Sequence, residues 1–333
     1  MRLKPVLFLL AALIIIWGAY IFSESMVAKR QSALDLADRV LLVDGVQEVL
    51  SVELSGKAFE NPIIITRQSV NKAFGIISPI KSPADQGNVI QMVNALAMAR
   101  TKKRIKAPQN LGDFGLDPPW IELKLKSAKG KNQTIFLGDL SPTGESLYAR
   151  PEAGSMIWLL PGAVKAGLNQ SLFSLRDKKI LDFVVLDVKE AVLQAHSSNS
   201  LILRRKERKD ADIWETGEKK KIHKDDVLDL LFKIHGLRAL AFFDSGINLT
   251  AVGLKKPWAK ITLTVAEAEK NGIIEILLGA TDPSGKQIYI RRLNGGPVMM
   301  VEKEKIKSLW AQEKMIKEAG RSHNPAKGLP KGD

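Results

Sequence analysis

Residues 115–120 read Gly-Leu-Asp-Pro-Pro-Trp, and residues 253–258 read Gly-Leu-Lys-Lys-Pro-Trp, an offset of 138 positions. At that offset Val89 meets Val227, Val93 meets Leu231, Leu96 meets Ile234 and Arg100 meets Arg238. Three residues are then inserted in the second half, and the offset becomes 141. Leu137-Gly138 now meets Leu278-Gly279. Ser-Pro-Thr-Gly at 141–144 meets Asp-Pro-Ser-Gly at 282–285, and Tyr-Ala-Arg at 148–150 meets Tyr-Ile-Arg at 289–291. Matches that keep their order in this way identify an internal duplication. Such a chain folds as two copies of one unit, each with its own core.

Both copies carry the same signals in the same order. A strand pair opens each: Val49–Leu54 with Ile63–Arg67, and Ala191–Ala195 with Leu201–Arg205. An aromatic follows, Phe74 or Trp214. Apolar residues at i, i+4 and i+7 then predict an amphipathic helix, on Val89, Val93 and Leu96 or on Val227, Leu231 and Ile234. After the Gly-Leu-x-x-Pro turn, Ile121, Leu123 and Leu125, or Ile261, Leu263 and Val265, alternate as in a strand with one buried face. The Ser-Pro-Thr-Gly and Asp-Pro-Ser-Gly elements read as hairpin loops, because glycine takes positive φ without strain. A last strand, Met156–Leu160 or Val298–Val301, leads into a short helix. The expected fold class is α+β, with mostly antiparallel sheets in two tandem repeats over 45–175 and 176–318. Residues 319–333 lack apolar periodicity and read as a disordered tail.

Val6 to Phe22 is a run without a charge, preceded by Arg2 and Lys4. As a helix it covers about 25 Å, close to a hydrocarbon core of about 30 Å. Trp17 and Tyr20 stand near its outer end, where amphipathic rings favour the interface. A cleaved signal peptide has a shorter apolar stretch, and no small-x-small cleavage site follows. Residues 1–25 are therefore expected to form an uncleaved N-terminal transmembrane helix. The chain would be a single-pass protein of the inner (cytoplasmic) membrane, with a cytoplasmic N-terminus and periplasmic, or otherwise extracytoplasmic, domains. Residues 26–44 place Leu34, Ala37, Leu41 and Leu42 at helical spacing and read as a juxtamembrane helix.

Chemistry-bearing motifs are sparse. Cysteine is absent, which excludes disulfides, thiolate metal sites and a cysteine nucleophile. The four histidines have no partners at ligand spacing, and His-Lys-Asp-Asp at 223–226 reads as a helix start. Asp113 and Asp117 read as turn residues rather than an acid–base pair. No nucleophile elbow, phosphate loop or His-Glu-x-x-His element occurs. No catalytic, cofactor-binding or metal-ligating residue is expected, and the chain does not read as an enzyme.

The net charge of +14 favours anionic partners, although the charges are interleaved in sign. Export excludes nucleic acid, and no small-molecule substrate is implied. The densest basic stretch runs from Arg204 to Lys209. Its Arg204, Arg205, Lys206 and Arg208 are candidate partner contacts, or else the charged tip of a hairpin. Trp120 and Trp258, repeated in both copies, are candidates too, or else plug the core where a strand begins.

Several of these elements together resemble the bacterial family called domain of unknown function 4340. They are Phe74, Pro79, Ala84-Asp85, the helix to Arg100, Phe114-Gly-Leu-Asp-Pro-Pro119, Leu137-Gly138, Tyr148-Ala-Arg150 and Leu175-Arg-Asp-Lys178. The resemblance covers most of residues 40–310. The second copy departs from it, with Lys255-Lys256 where the first has Asp117-Pro118 and no counterpart of Pro79. The resemblance implies a single-anchor envelope protein associated with ABC transport systems of the gliding-motility auxiliary type. No catalytic residue travels with it. The expected function is a non-enzymatic accessory or scaffold protein of an envelope ABC-type transport complex, with protein partners in that complex. The alternative is a module binding an envelope polymer or anionic lipid.

Overall fold

The computed structural model describes residues 16–26, 39–40, 45–108, 110–196, 198–206, 213–266 and 272–322. The chain divides between Asp177 and Lys178 into two units. Each unit is built on one nine-stranded sheet, and every strand pair in both sheets is antiparallel.

The strands of the first unit are β1 (Val49–Ser55), β2 (Ile63–Thr66), β3 (Gly75–Ser78), β4 (Ser82–Pro83), β5 (Lys103–Lys106), β6 (Ile121–Ser127), β7 (Asn132–Leu140), β8 (Ser146–Pro151) and β9 (Met156–Pro161). Their order across the sheet is β4-β3-β2-β1-β6-β7-β8-β9-β5. Its helices, after a helical stretch at residues 16–26 (α1), are α2 (Gln86–Ala97), α3 (Val164–Leu168) and α4 (Leu172–Leu175).

The second unit has β10 (Val188–Ala195), β11 (Ser198–Lys206), β12 (Ile213–Thr216), β13 (Lys221–Ile222), β14 (Ala241–Phe243), β15 (Ala259–Val265), β16 (Ile273–Thr281), β17 (Gln287–Arg292) and β18 (Val298–Glu302). Their order is β13-β12-β11-β10-β15-β16-β17-β18-β14. Position for position this is the order of the first sheet. Its helices are α5 (Lys224–His235) and α6 (Lys303–Ser322). The repeated sequence has become a repeated fold.

Alternation along the strands sends one set of side chains to the core. In β6, Ile121, Leu123 and Leu125 are buried while Lys124 and Lys126 face solvent. α2 lays Val89, Met92, Val93 and Leu96 on that face, and α5 lays Val227, Leu230, Leu231 and Ile234 on the matching face. Each such side chain contributes about 1.5–3 kcal/mol on leaving water. Asp85 caps α2 by accepting from the Asn88 amide at 3.1 Å. In α5, Asp225 and Asp226 occupy the first turn, where the helix dipole favours negative charge. The repeated arginine closes both helices. The Arg100 Nη1 donates to the carbonyls of Ala97, Met98 and Ala99, and the Arg238 Nη1 donates to those of His235 and Leu237.

The repeated Leu-Gly and Gly-Leu-x-x-Pro elements are one packing unit. The register between β7 and β8 shifts between Leu137 and Leu140, and that between β16 and β17 shifts between Leu278 and Thr281. At these bulges Gly138 and Gly279 lie against the chain just before the turn. A methyl group on Gly138 would stand 2.1 Å from the Phe114 carbonyl oxygen, and one on Gly279 would stand 2.3 Å from that of Val252. The turn glycines Gly115 and Gly253 have φ of 64° and 72°, a region that disfavours any side chain.

Several details differ from the sequence expectation. Most of the expected anchor, residues 1–15, lies outside the described residues. Among the described residues no helix is long and apolar enough to cross a membrane. The juxtamembrane helix expected over 26–44 also falls mostly outside them. Of its described residues Met26 ends α1, while Arg39 and Val40 are not helical: Arg39 bridges to Arg100, and Val40 is buried in the first core and accepts from the Gln133 side chain at 2.8 Å. α6 is not short, and it carries the chain to Ser322, into the expected tail. Burial of Ile306, Leu309 and Ile316 holds it to the core, and Lys317 pairs with the buried Glu313. The remaining tail, 323–333, lies outside the described residues.

Replacing Gly138 or Gly279 by alanine is expected to destabilise its own unit by about 1–3 kcal/mol, the usual cost of overpacking. Gly75→Ala is the control, since its new methyl would meet nothing nearer than 3.7 Å. Urea unfolding of the three variants measures the difference.

Candidate functional site

The two tryptophans share a backbone role. The Trp120 carbonyl accepts from the Ala58 amide at 3.0 Å, and the Trp258 carbonyl accepts from the His196 amide at 2.9 Å. Each ties the Gly-Leu-x-x-Pro turn to the end of the unit's first long strand. Their rings differ. Trp120 is half-buried against the first core with the Lys165 Nζ 4.6 Å from its centroid. Trp258 is 37% exposed and lies 5.0 Å from Trp310 of α6. The two rings sit in separate units.

The basic stretch on β11 is paired rather than free. The Arg204 Nε meets Glu190 at 3.2 Å, and the Lys206 Nζ meets the buried Glu215 at 2.7 Å. Arg205 turns the other way and donates to the Leu186 carbonyl, in the tight turn before β10. Its counterpart in the first unit is Arg67, which donates to the carbonyls of Val46, Gln47, Val49 and Val70. Arg67 also lies 4.4 Å from the Phe74 ring. Burial lowers the pKa of Arg67 from its ordinary value, and the guanidinium stays charged at any working pH. Arg205 and Arg67 thus hold the entry turns of their sheets. Arg208 lies outside the described residues.

The face of the first sheet away from α2 carries charge. The Lys124 Nζ stands 3.0 Å from Glu53 and 3.2 Å from Glu122, and hydrogen bonds to these two carboxylates raise its pKa. In the hairpin loop of the second unit, Asp282 accepts from Ser284, Gln287 and Lys286. The Ser284 hydroxyl and then the Gln287 amide hold its carboxyl below the usual range. Both arrangements brace turns and strands. Among the described residues no group of three His, Asp or Glu side chains is placed to hold a metal.

A second basic strip escapes a count of cation density. Lys102, Lys103, Arg104 and Lys106 are exposed on and beside the edge strand β5. The signal for it is the lack of any acidic residue between Asp85 and Asp113.

The elements that carried the resemblance are joined in space. The Gln86 side chain bonds Phe74 through both its amide and its carbonyl, and also the Ala84 carbonyl. The Asp85 amide donates to the Leu175 carbonyl, the Asp177 amide to that of Pro83, and the Arg176 Nε to the Ser82 hydroxyl. Two sheets of one strand order, each covered by helices on one side, define a tandem α+β protein. Residues 76–257, a little over half of the chain, match the family described as domain of unknown function (DUF4340), and the chain belongs to that family. The matched span begins in β3, crosses the junction of the units and closes before β15. No curated protein matches the chain.

Truncating Arg67 or Arg205 to alanine is expected to cost about 1.5–3 kcal/mol, because carbonyls lose a charged donor. Arg204→Ala removes an exposed strand ion pair and is expected to cost under about 1 kcal/mol, whereas Lys206→Gln takes the cation from the buried Glu215 carboxylate and is expected to fall with the costlier arginine variants. Thermal and urea unfolding of the four variants separates the two classes.

Proposed function

We propose that the chain is a non-enzymatic accessory or scaffold protein of an envelope transport complex of the ABC type, anchored in the inner membrane by its N-terminal helix. The observation that carries this reading is the surface of α1. Ile16, Trp17 and Phe22 are 69%, 67% and 63% exposed, so the helix turns large apolar side chains away from any protein core. It closes a run from Val6 to Phe22 that contains no charge. Exposed apolar surface of this kind favours a lipid or protein environment. In this reading the N-terminus is cytoplasmic and both sheet units are extracytoplasmic. The transport assignment rests on the resemblance of the family to envelope proteins of such systems. The duplicated units would supply paired protein-binding surfaces.

Binding of an envelope polymer or anionic lipid is the second reading, favoured by the +14 charge. The described part of the Arg204–Lys209 stretch supports it less, since Arg204 and Lys206 already have carboxylate partners.

Crosslinked co-purification of the tagged full-length chain from native membranes tests the leading reading. Recovery of transporter permease and ATPase subunits is the expected result. Recovery of the bait alone contradicts it.

A further inference from the structure

The same edge of the two sheets is dressed differently. In the first unit the edge strand is Lys103-Arg104-Ile105-Lys106, preceded by Lys102. In the second it is Ala241-Phe242-Phe243. Both occupy the last position of an identical strand order, β5 beside β9 and β14 beside β18. Lysines on an edge commonly discourage strand-to-strand aggregation. That need does not explain β5, because β14 meets the same situation without a single charge.

The cations of β5 also differ from the other strand lysines. Lys124 is held by Glu53 and Glu122, Lys206 by Glu215 and Lys260 by Glu275. Among the described residues no carboxylate stands within ion-pair distance of Lys102, Lys103 or Lys106. The Lys102 Nζ donates only to the main-chain carbonyl of Glu145, at 3.2 Å. Beside this strip, at the end of α2, Met98 is 74% exposed. An unscreened group of cations next to a projecting apolar side chain suits an anionic headgroup layer. The charges attract the surface, and the thioether enters the interface.

The chain's own route points to the same occupant. Arg39, the next described residue after α1, bridges to Arg100, two residues from Lys102. α1 is described to Met26, so only residues 27–38 separate the helix from that bridge. Fully extended, they reach at most about 45 Å. A tether of this length keeps the basic edge at high effective concentration beside whatever surrounds α1, so weak attraction suffices. We propose that Met98, Lys102, Lys103 and Lys106 dock the first unit onto the anionic headgroups of the bilayer that holds α1. This proposal rests on the membrane-anchor reading.

The sequence has no cysteine, so Met98→Cys creates a single labelling site in the full-length chain. The chain, labelled there with an environment-sensitive fluorophore, is placed in bilayer discs of phosphatidylcholine alone or with added phosphatidylglycerol. A blue shift with phosphatidylglycerol, absent in phosphatidylcholine alone, is expected. It should vanish in about 1 M salt, where the screening length is about 3 Å. Changing Lys102, Lys103 and Lys106 together to glutamine should lower the ratio of docked to undocked chains on the order of a hundredfold. Circular dichroism of that variant checks that it is folded. No shift, or a shift that survives the triple substitution, overturns the proposal. An equal response to soluble polyglutamate would assign the edge to an acidic polymer and overturns it too. Incorporation into the neutral discs is scored separately. A chain that fails to incorporate contradicts the anchor reading. In that event, lysine-dependent sedimentation with phosphatidylglycerol vesicles still decides whether the edge binds headgroups.

Discussion

Each sheet sends its alternate apolar side chains to one side, and the unit is unstable in water until that side is covered. The remaining features of the fold meet this requirement. α2 and α5 cover the centre of their sheets, and Arg100 and Arg238 seal the helix ends so that the chain can turn back to the edge strand. The bulges at Gly138 and Gly279 let the Gly-Leu-x-x-Pro turn lie flat against the neighbouring strand. The units complete the cover in different ways. The first uses α3 and α4, nine residues in all, and the second uses the twenty residues of α6.

Elements with strong periodicity were legible in the sequence. β1, β6, α2 and α5 stand where alternation or 3.6-residue spacing places them, and the duplication supported each reading with its copy. β4 and β13 have two residues each, too few for any pattern, and β5 has only one apolar residue. The length of α6 was hidden because Gln312 and Glu313 fall on its buried side and interrupt the apolar stripe. Gln312 is accommodated there by donating to the Asp226 carbonyl, and Glu313 by Lys317. Among the candidate contacts, charge alone could not separate Arg205, which braces a turn, from Arg204 and Lys206, which pair across strands. That distinction depends on which face of β11 each side chain takes.

One fold used twice carries two different surfaces. Where the first sheet turns Glu53 and Lys124 outward in an ion cluster, the second has Val192 and Thr262, which are paired across β10 and β15. Where the first has a basic edge, the second has an apolar one. Duplication preserves the core, because the helix and sheet must still fit. It leaves the outer face and the edge free to diverge toward separate partners. A scaffold that meets a bilayer with one unit and a protein with the other would have this pattern.

The most direct test is the accessibility of single cysteines, introduced into a chain that has none. One set replaces Ile16, Gly18 and Ile21 of α1, and another replaces the exposed Lys57 and Lys255, one in each unit. Intact cells with a permeabilised outer layer are treated with a membrane-impermeant maleimide. A membrane-held helix with both units outside the cytoplasm predicts that positions 57 and 255 react, while 16, 18 and 21 react only after detergent. Free reaction of the α1 positions without detergent, or reaction at 57 and 255 only after lysis, would contradict it.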